Sequence, residues 1–247
     1  MKNVTAVILA AGESKRMRSE VSKLLHRLGR RCLVEFPAEA CFKAGVERII
    51  VVVGHQSDKI KEILGSGYEY IYQEKRLGTG DALRRVIPSI SNFKGELLVL
   101  PGDAPFVSPF ILQKLVHYHR EKKPAATILT AFLPDPGAYG RVIRNGYEGV
   151  KKIVESKNAT PDELKIREIN SGIYCFETQK ILPLLSLLEP NRITGEVYLT
   201  DIFGLLHERG EKIYALAVPD PCVAMGVNTP EELKKAYQIL VQRGDLL

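Results

Sequence analysis

The sequence predicts an α/β protein with a Rossmann-like, mostly parallel central sheet and helices on both faces. Three observations support this. Short β-branched apolar runs alternate with longer amphipathic stretches through the first half of the chain, the rhythm of βαβ units. The runs are apolar on both sides of the pleat, as in Ile49-Ile50-Val51-Val52-Val53, which suits strands covered by helices on each face. The first run ends in a turn of small residues, Ala10-Ala11-Gly12, with basic residues after it. A parallel sheet presents its ligand-binding loops at just such strand ends.

Val4 to Leu9 is the first strand. Arg48 to Val53, Tyr68 to Tyr72, Glu96 to Leu100 and Ala125 to Phe132 follow, leaving room for helices near 35–44, 57–64, 79–90 and 108–122. Pro37 then falls in a first helical turn, where a missing N–H costs little, and Pro109 follows Ser108 as a proline behind a serine cap. After Phe132 the rhythm changes. Pro134, Pro136 and Gly137 mark a loop, and strand-like pieces at 141–144, 149–155 and 172–176 bracket a charged stretch at 156–168. This reads as antiparallel strands inserted on the parallel sheet. Helices near 178–188, 198–208 and 229–243 follow. The sequence shows no linker, low-complexity tract or internal repeat, so one domain over 1–247 is the simplest organisation.

Composition excludes several classes. The chain has 247 residues, 45% apolar and 26% charged, enough for a core that needs no disulfide staples. Cys32, Cys41, Cys175 and Cys222 form no C-x-x-C pair and read as free thiols in a reducing compartment. No signal peptide follows Met1, and no apolar stretch reaches the roughly 18 residues of a membrane span. A cytoplasmic protein without a membrane partner is therefore expected. The net charge of +6 suits an anionic ligand or simply a soluble surface. No basic arm or basic stripe with interleaved aromatics points to nucleic acid.

Leu9 to Met17 reads LAAGESKRM, and Lys23 follows. Small residues let backbone N–H groups approach a phosphate chain, and Arg16 and Lys23 supply cationic donors. The loop is neither a P-loop nor a dinucleotide fingerprint. Alone, it reads sooner as a plain strand–loop–helix connection. Further stretches follow in order: Gln73 ahead of LGTGDA at 77–82, PGDAP at 101–105, Tyr139-Gly140-Arg141, Ile153-Val154-Glu155, EINSGI at 168–173, GEVYLTD at 195–201 and Gly226-Val227-Asn228.

Together these resemble the sugar-phosphate nucleotidylyltransferases, whose loop reads L-A-A-G-x-G-[ST]-R-M…P-K. The likeness covers nearly the whole chain and is greatest to the branch that makes UDP-N-acetylglucosamine from UTP and N-acetylglucosamine 1-phosphate. It implies the nucleotide-diphospho-sugar transferase fold, with a nucleotide-binding half over about 1–132 and a sugar-binding lobe with closing helices over about 133–247. It also implies Mg²⁺ as cofactor, and UTP and a sugar 1-phosphate as small-molecule partners. By the same resemblance Leu9, Ala10, Ala11 and Gly12 hold the nucleotide, with Arg16 and Lys23 as the catalytic cations. Gln73, Gly78 and Thr79 read the base. Asp103 and Asn228 hold the metal, and Gly140, Glu155, Asn170, Tyr198 and Thr200 hold the sugar. No oligomeric state follows from the sequence.

The chemistry is compatible with these residues. A sugar 1-phosphate is already an ionised nucleophile, so no Ser, Cys or His nucleophile is needed. The site must align it with the α-phosphorus and neutralise the leaving pyrophosphate. Asp103, a hard oxygen donor beside a turn glycine at the end of the fourth strand, suits Mg²⁺. Plainer roles stay open: a turn aspartate for Asp103, a helix N-cap for Asn228 or Thr79, an exposed strand end for Gln73, surface charges for Arg16, Lys23 and Glu155, and core packing for Tyr198. The five histidines are scattered and receive no role.

Three positions depart from the family's loop. Its second glycine is Ser14, its Ser/Thr is Lys15, and the proline before its lysine is Ser22. The branch also carries a C-terminal β-helix of hexapeptide repeats that acetylates glucosamine 1-phosphate. No such repeat occurs up to Leu247, so acetyl transfer is not expected. The rivals are glucose 1-phosphate as acceptor, dTTP or CTP as donor, and a non-catalytic nucleotide-sugar-binding subunit. The presence of Asp103 and Lys23 argues against the last.

Overall fold

The structure is a computed structural model that describes residues 1–12 and 15–246, with the backbone alone for Lys15. β1 (Val4–Ala10) lies inside a nine-stranded sheet because it is apolar on both faces. Ala6 and Ile8 pack into one hydrophobic cluster and Val7 into the other. Short 3₁₀ turns at Lys15–Met17 and Lys23–Leu25 follow, then a small hairpin of β2 (Arg27–Leu28) and β3 (Arg31–Cys32). Next come α1 (Glu35–Lys43), β4 (Arg48–Val53), α2 (Ser57–Leu64), β5 (Glu69–Tyr72), α3 (Thr79–Arg84), α4 (Ile87–Ile90), β6 (Glu96–Pro101) and α5 (Pro109–Lys122). The second half holds β7 (Ala126–Phe132), β8 (Arg141–Asn145), β9 (Gly149–Val154), α6 (Pro161–Leu164) and β10 (Glu168–Glu177). It continues with α7 (Thr178–Leu185), α8 (Asp201–Glu208), β11 (Ile213–Ala217) and α9 (Pro230–Arg243).

The strand order is β5-β4-β1-β6-β10-β7-β11-β9-β8. β5, β4, β1 and β6 are parallel, with Leu9 level with both Val52 and Pro101. The carboxyl ends of β1, β4 and β6 therefore open at one edge, where the site lies. α1, α2 and α5 cover one face, and α3, α4, α7 and α8 the other. β7 and β11 are a further parallel pair, whereas β10, β9 and β8 pair antiparallel with their neighbours, giving a mixed sheet.

Ser108 caps α5 as expected, its Oγ accepting from Ile111 N at 3.3 Å with Pro109 behind it. The single helix expected over 79–90 is two. Pro88 cannot donate to the Arg84 carbonyl and its ring crowds that turn, so the backbone restarts at Ile87. The strand expected at 172–176 is the second half of β10, which runs within the main sheet between β6 and β7 and not on top of it. α8 starts at Asp201, leaving Tyr198 and Thr200 on the segment before it. β11 and the β2–β3 hairpin were not anticipated.

Cys32, Cys41 and Cys175 are buried and Cys222 half-buried, all as free thiols, and burial pushes Cys41 up to about 12. Among the described residues no helix is long and apolar enough to cross a membrane.

Candidate active site

The carboxyl edge of the parallel strands opens into a cleft of about 710 Å³. β1 delivers the small-residue loop to it. Leu9, Ala11 and Gly12 line the cleft, while Ala10 points into the core beneath. The loop's end is pinned by Gly102 N, which donates to the Leu9 carbonyl at 3.0 Å and joins the tips of β6 and β1. Ser14 and the Lys15 side chain lie outside the described residues.

The 3₁₀ turn Lys23–Leu25 brings Lys23 into contact with two elements remote in sequence. Its ammonium donates to Asp103 Oδ2 and, at 2.7 Å, to Asn228 Oδ1. Arg16 Nη2 reaches the same Asn228 oxygen at 2.9 Å. Asp103 sits in the turn after β6, 7% exposed, and its own carbonyl accepts from Val227 N at 3.0 Å. Gly226 makes this approach feasible: a Cβ there would come within 3.1 Å of Asp103 Oδ2. Asn228 does not cap α9. Thr229 does, in a capping box with Glu232, and Asn228 lends only its backbone N–H to Glu232. Its side chain is thus committed to the cleft. Two hard oxygen donors, one of them a carboxylate, converge on one cationic group.

At the other end, Gln73 is buried at 3% exposure and is no exposed strand end. Its Nε2 donates to Asp81 Oδ2 at 2.7 Å and to the Gly78 carbonyl at 3.2 Å. Asp81, held by Arg85 at 3.5 Å, is an acceptor only, so it dictates which end of the amide faces it. Gln73 thus lines the cleft with Nε2 turned to Asp81 and Gly78 and Oε1 on the other side of the amide. The Gln73–Gly78 segment is strapped to the opposite wall, with Val197 N on the Leu77 carbonyl at 2.6 Å and Gly80 N on the Val197 carbonyl at 2.8 Å. Gly78 has φ 108°, and a Cβ on it would lie 2.6 Å from the Val197 carbonyl oxygen, so only glycine fits. Thr79 is not the cap of α3. Gly78 holds that position, and Thr79 Oγ1 accepts from Leu199 N at 3.1 Å.

The far wall carries Glu155, Asn170, Tyr198 and Thr200. Glu155 Oε1 accepts from the buried Thr200 hydroxyl at 2.9 Å. Burial pushes the Glu155 carboxyl up, the Thr200 hydrogen bond opposing it. Asn170 is locked by Tyr174, whose hydroxyl accepts from Nδ2 at 2.8 Å, and by Gly172 N, which donates to Oδ1 at 3.1 Å. Tyr198 is no core residue: it is half-buried, lines the cleft and donates to Thr194 Oγ1 at 2.8 Å. Gly140 stands behind this wall, its carbonyl accepting from Asn170 N at 2.9 Å.

The sequence reading missed Asp81, Arg76 and Thr194. Asp81 lay in full view within LGTGDA; the missing signal was its contact with Gln73, eight residues away. Tyr139 was noted only as part of a motif. Its ring packs against the main core, and burial pushes its hydroxyl up to about 12. Among the described residues no group of three or more His, Cys, Asp or Glu is arranged to hold a metal ion.

The nucleotide-diphospho-sugar transferase fold and a cleft edged with cations and hard oxygens define a nucleotidyltransferase. The chain belongs to the family of MobA-like NTP transferase domains, which matches residues 6–144. It is 40% identical over 243 residues to the bifunctional protein GlmU of Acetivibrio thermocellus, and 39% identical over 243 residues to that of Limosilactobacillus fermentum. In each case 98% of this chain aligns with 53% of the relative, so the chain spans about half their length. In fold it is similar to UDP-glucose pyrophosphorylase complexed with UDP-glucose, with a TM-score of 0.79 over 97% of this chain and 98% of that one, at 16% identity.

Proposed function

We propose that the chain transfers a uridylyl group from UTP to N-acetylglucosamine 1-phosphate, giving UDP-N-acetylglucosamine and pyrophosphate. The observation that carries this is the convergence of Asp103 and Asn228 on one cationic group in the cleft that also holds Gln73. The resemblance of the ordered motifs to the branch that makes UDP-N-acetylglucosamine supports the donor and acceptor, and the relatives share the name GlmU. In this reading residues 1–132 bind the nucleotide and 133–247 supply the sugar wall and closing helices.

Leu9, Ala11 and Gly12 line the path of the triphosphate, with Ala10 packing beneath them, and Arg16 and Lys23 neutralise it. Gln73, Gly78 and Thr79 frame the base. Glu155, Thr200, Asn170 and Tyr198 present acceptors and donors to sugar hydroxyls, with Gly140 behind them. The sugar-phosphate oxygen forms a bond to the α-phosphorus as the bond from that phosphorus to the bridging oxygen of pyrophosphate breaks. No proton need move, so positioning and charge neutralisation carry the catalysis.

The Asp103–Asn228 pair fits a divalent ion. Its hard oxygens already meet on the Lys23 ammonium, and Mg²⁺ characteristically takes one or two protein oxygens and completes its shell with phosphate and water. Bound there, Mg²⁺ supplies positive charge to the reacting phosphates. Pyrophosphate release should be measured with Mg²⁺ over UTP, dTTP and CTP against N-acetylglucosamine 1-phosphate and glucose 1-phosphate. UTP with N-acetylglucosamine 1-phosphate should give the highest kcat/KM. Another pair exceeding it overturns the substrate assignment, and no turnover with any pair leaves a non-catalytic nucleotide-sugar-binding subunit.

A further inference from the structure

Gln56, between β4 and α2, has φ 63° and ψ 29°, in the left-handed region that disfavours a residue with a Cβ. Its side chain does not cap α2. It reaches the segment just ahead of Lys23: Oε1 accepts from Ser22 N at 2.8 Å and Nε2 donates to the Glu20 carbonyl at 3.0 Å. Ser22 has φ −53° and ψ 137°, a φ within the range that a proline ring enforces by itself and a ψ that proline tolerates. A proline at this position has no N–H to donate, so the bond to Gln56 exists because residue 22 is not proline. The same turn also touches the front of the phosphate loop, since a Cβ on Gly54 would lie 3.0 Å from the Ala11 carbonyl oxygen.

We propose that Gln56 is a positioning residue for nucleotidyl transfer: through Ser22 it holds Lys23 in the conformation that meets the triphosphate, doing by hydrogen bond what a proline ring does by covalent constraint. Ordering residues 20–22 beforehand spares that entropy when the nucleotide binds. The inference rests on Lys23 being a triphosphate ligand.

The test is steady-state kinetics with UTP and N-acetylglucosamine 1-phosphate, thermal unfolding, and limited trypsin cleavage after Arg16 and Arg18. The proteins are wild type, Gln56→Gly, Ser22→Pro, the double variant and Lys23→Ala. Glycine adopts φ 63° without strain, so Gln56→Gly should unfold at the wild-type temperature or above it. Its KM for UTP should nevertheless rise about five- to tenfold, the weight of one or two hydrogen bonds. KM for the sugar phosphate should hold, and cleavage should quicken. In the Ser22→Pro background the same change should move KM by less than about twofold, the coupling expected if residue 22 carries the effect.

An unchanged KM in Gln56→Gly, or the same factor in both backgrounds, overturns the inference. Should Ser22→Pro fail to fold, Gln56→Glu keeps the acceptor for Ser22 N. A UTP KM as high as that of Gln56→Gly would then overturn it. Lys23→Ala separates the two levels. If it leaves UTP kinetics unaltered, the reading of Lys23 itself fails; if it weakens UTP while Gln56→Gly does not, only the positioning role fails.

Discussion

Asp81→Asn should erode the choice between uracil and cytosine without touching any group that contacts phosphate. Asp81 and Gln73 are 4% and 3% exposed and 2.7 Å apart, so neither finds water as a substitute partner. The carboxylate accepts only and therefore pins the Gln73 amide with Oε1 outward. Uracil offers an N3–H donor to that oxygen, whereas cytosine offers an N3 lone pair. An asparagine at 81 presents either an oxygen or an N–H, so the Gln73 amide can turn over and suit cytosine. A hydrogen bond to a charged group contributes about 1.5–3 kcal/mol and a neutral one about 0.5–1.5 kcal/mol. The bias on amide orientation thus falls by about 1 kcal/mol or somewhat more, which corresponds to roughly five- to tenfold in the UTP/CTP ratio of kcat/KM. The assay is pyrophosphate release with each triphosphate under subsaturating conditions, with Gln73→Ala as the reference. If Gln73→Ala collapses the ratio and Asp81→Asn does not, Asp81 does not set the amide. If neither changes it, Gln73 is not at the base.

Three further outcomes are expected. Asp103→Ala should lower kcat by at least about 10²–10³, the usual weight of one preorganised electrostatic contact, and weaken Mg²⁺ activation; near-normal turnover would reduce Asp103 to a turn aspartate. Thr200→Val removes the hydrogen bond that holds the Glu155 carboxyl down, so Glu155 should titrate at still higher pH; a sugar-phosphate KM that worsens on acidification should do so at higher pH in the variant, and an unmoved profile would take Glu155 out of sugar binding. Burial lowers His119 from 6.5 to about 4, so its contribution to stability is present above 6.5 and lost as pH falls from there toward 4; this amounts to about 3 kcal/mol, measurable by urea unfolding at the two ends, and His119→Gln should flatten that slope.

Much of the sheet was legible in the sequence because its strands are buried on both faces. The runs at Arg48–Val53 and Glu96–Leu100 have no polar side, and helices must cover them. β11 escaped because it is half-buried, Ile213 alone being fully enclosed, so its pattern carries little contrast. The break between α3 and α4 was available in Pro88 and went unread. Ordered motifs named many residues of the cleft, though not Arg76 or Thr194, because backbone-approach glycines and hard oxygen donors leave a compositional trace at strand ends.

By itself the sequence determined the α/β class, the helices on both faces, and the loop of small residues followed by cations after the first strand, all properties of patterns within a few turns of chain. Only the tertiary structure decided the partnerships. Lys23 and Asn228 are 205 residues apart, and Asp103 lies 80 from Lys23, yet all meet at one point. It freed Asn228 for the cleft by giving the cap of α9 to Thr229, and it turned the Gln73 amide through Asp81. It also placed Gln56 against Ser22, whose N–H it accepts while Ser22 keeps a φ in the proline range. The physical reason is one throughout: a side chain's chemistry is written in its own residue, but its hydrogen-bond partner, burial and ionisation are set by groups that folding alone brings within 3 Å or so.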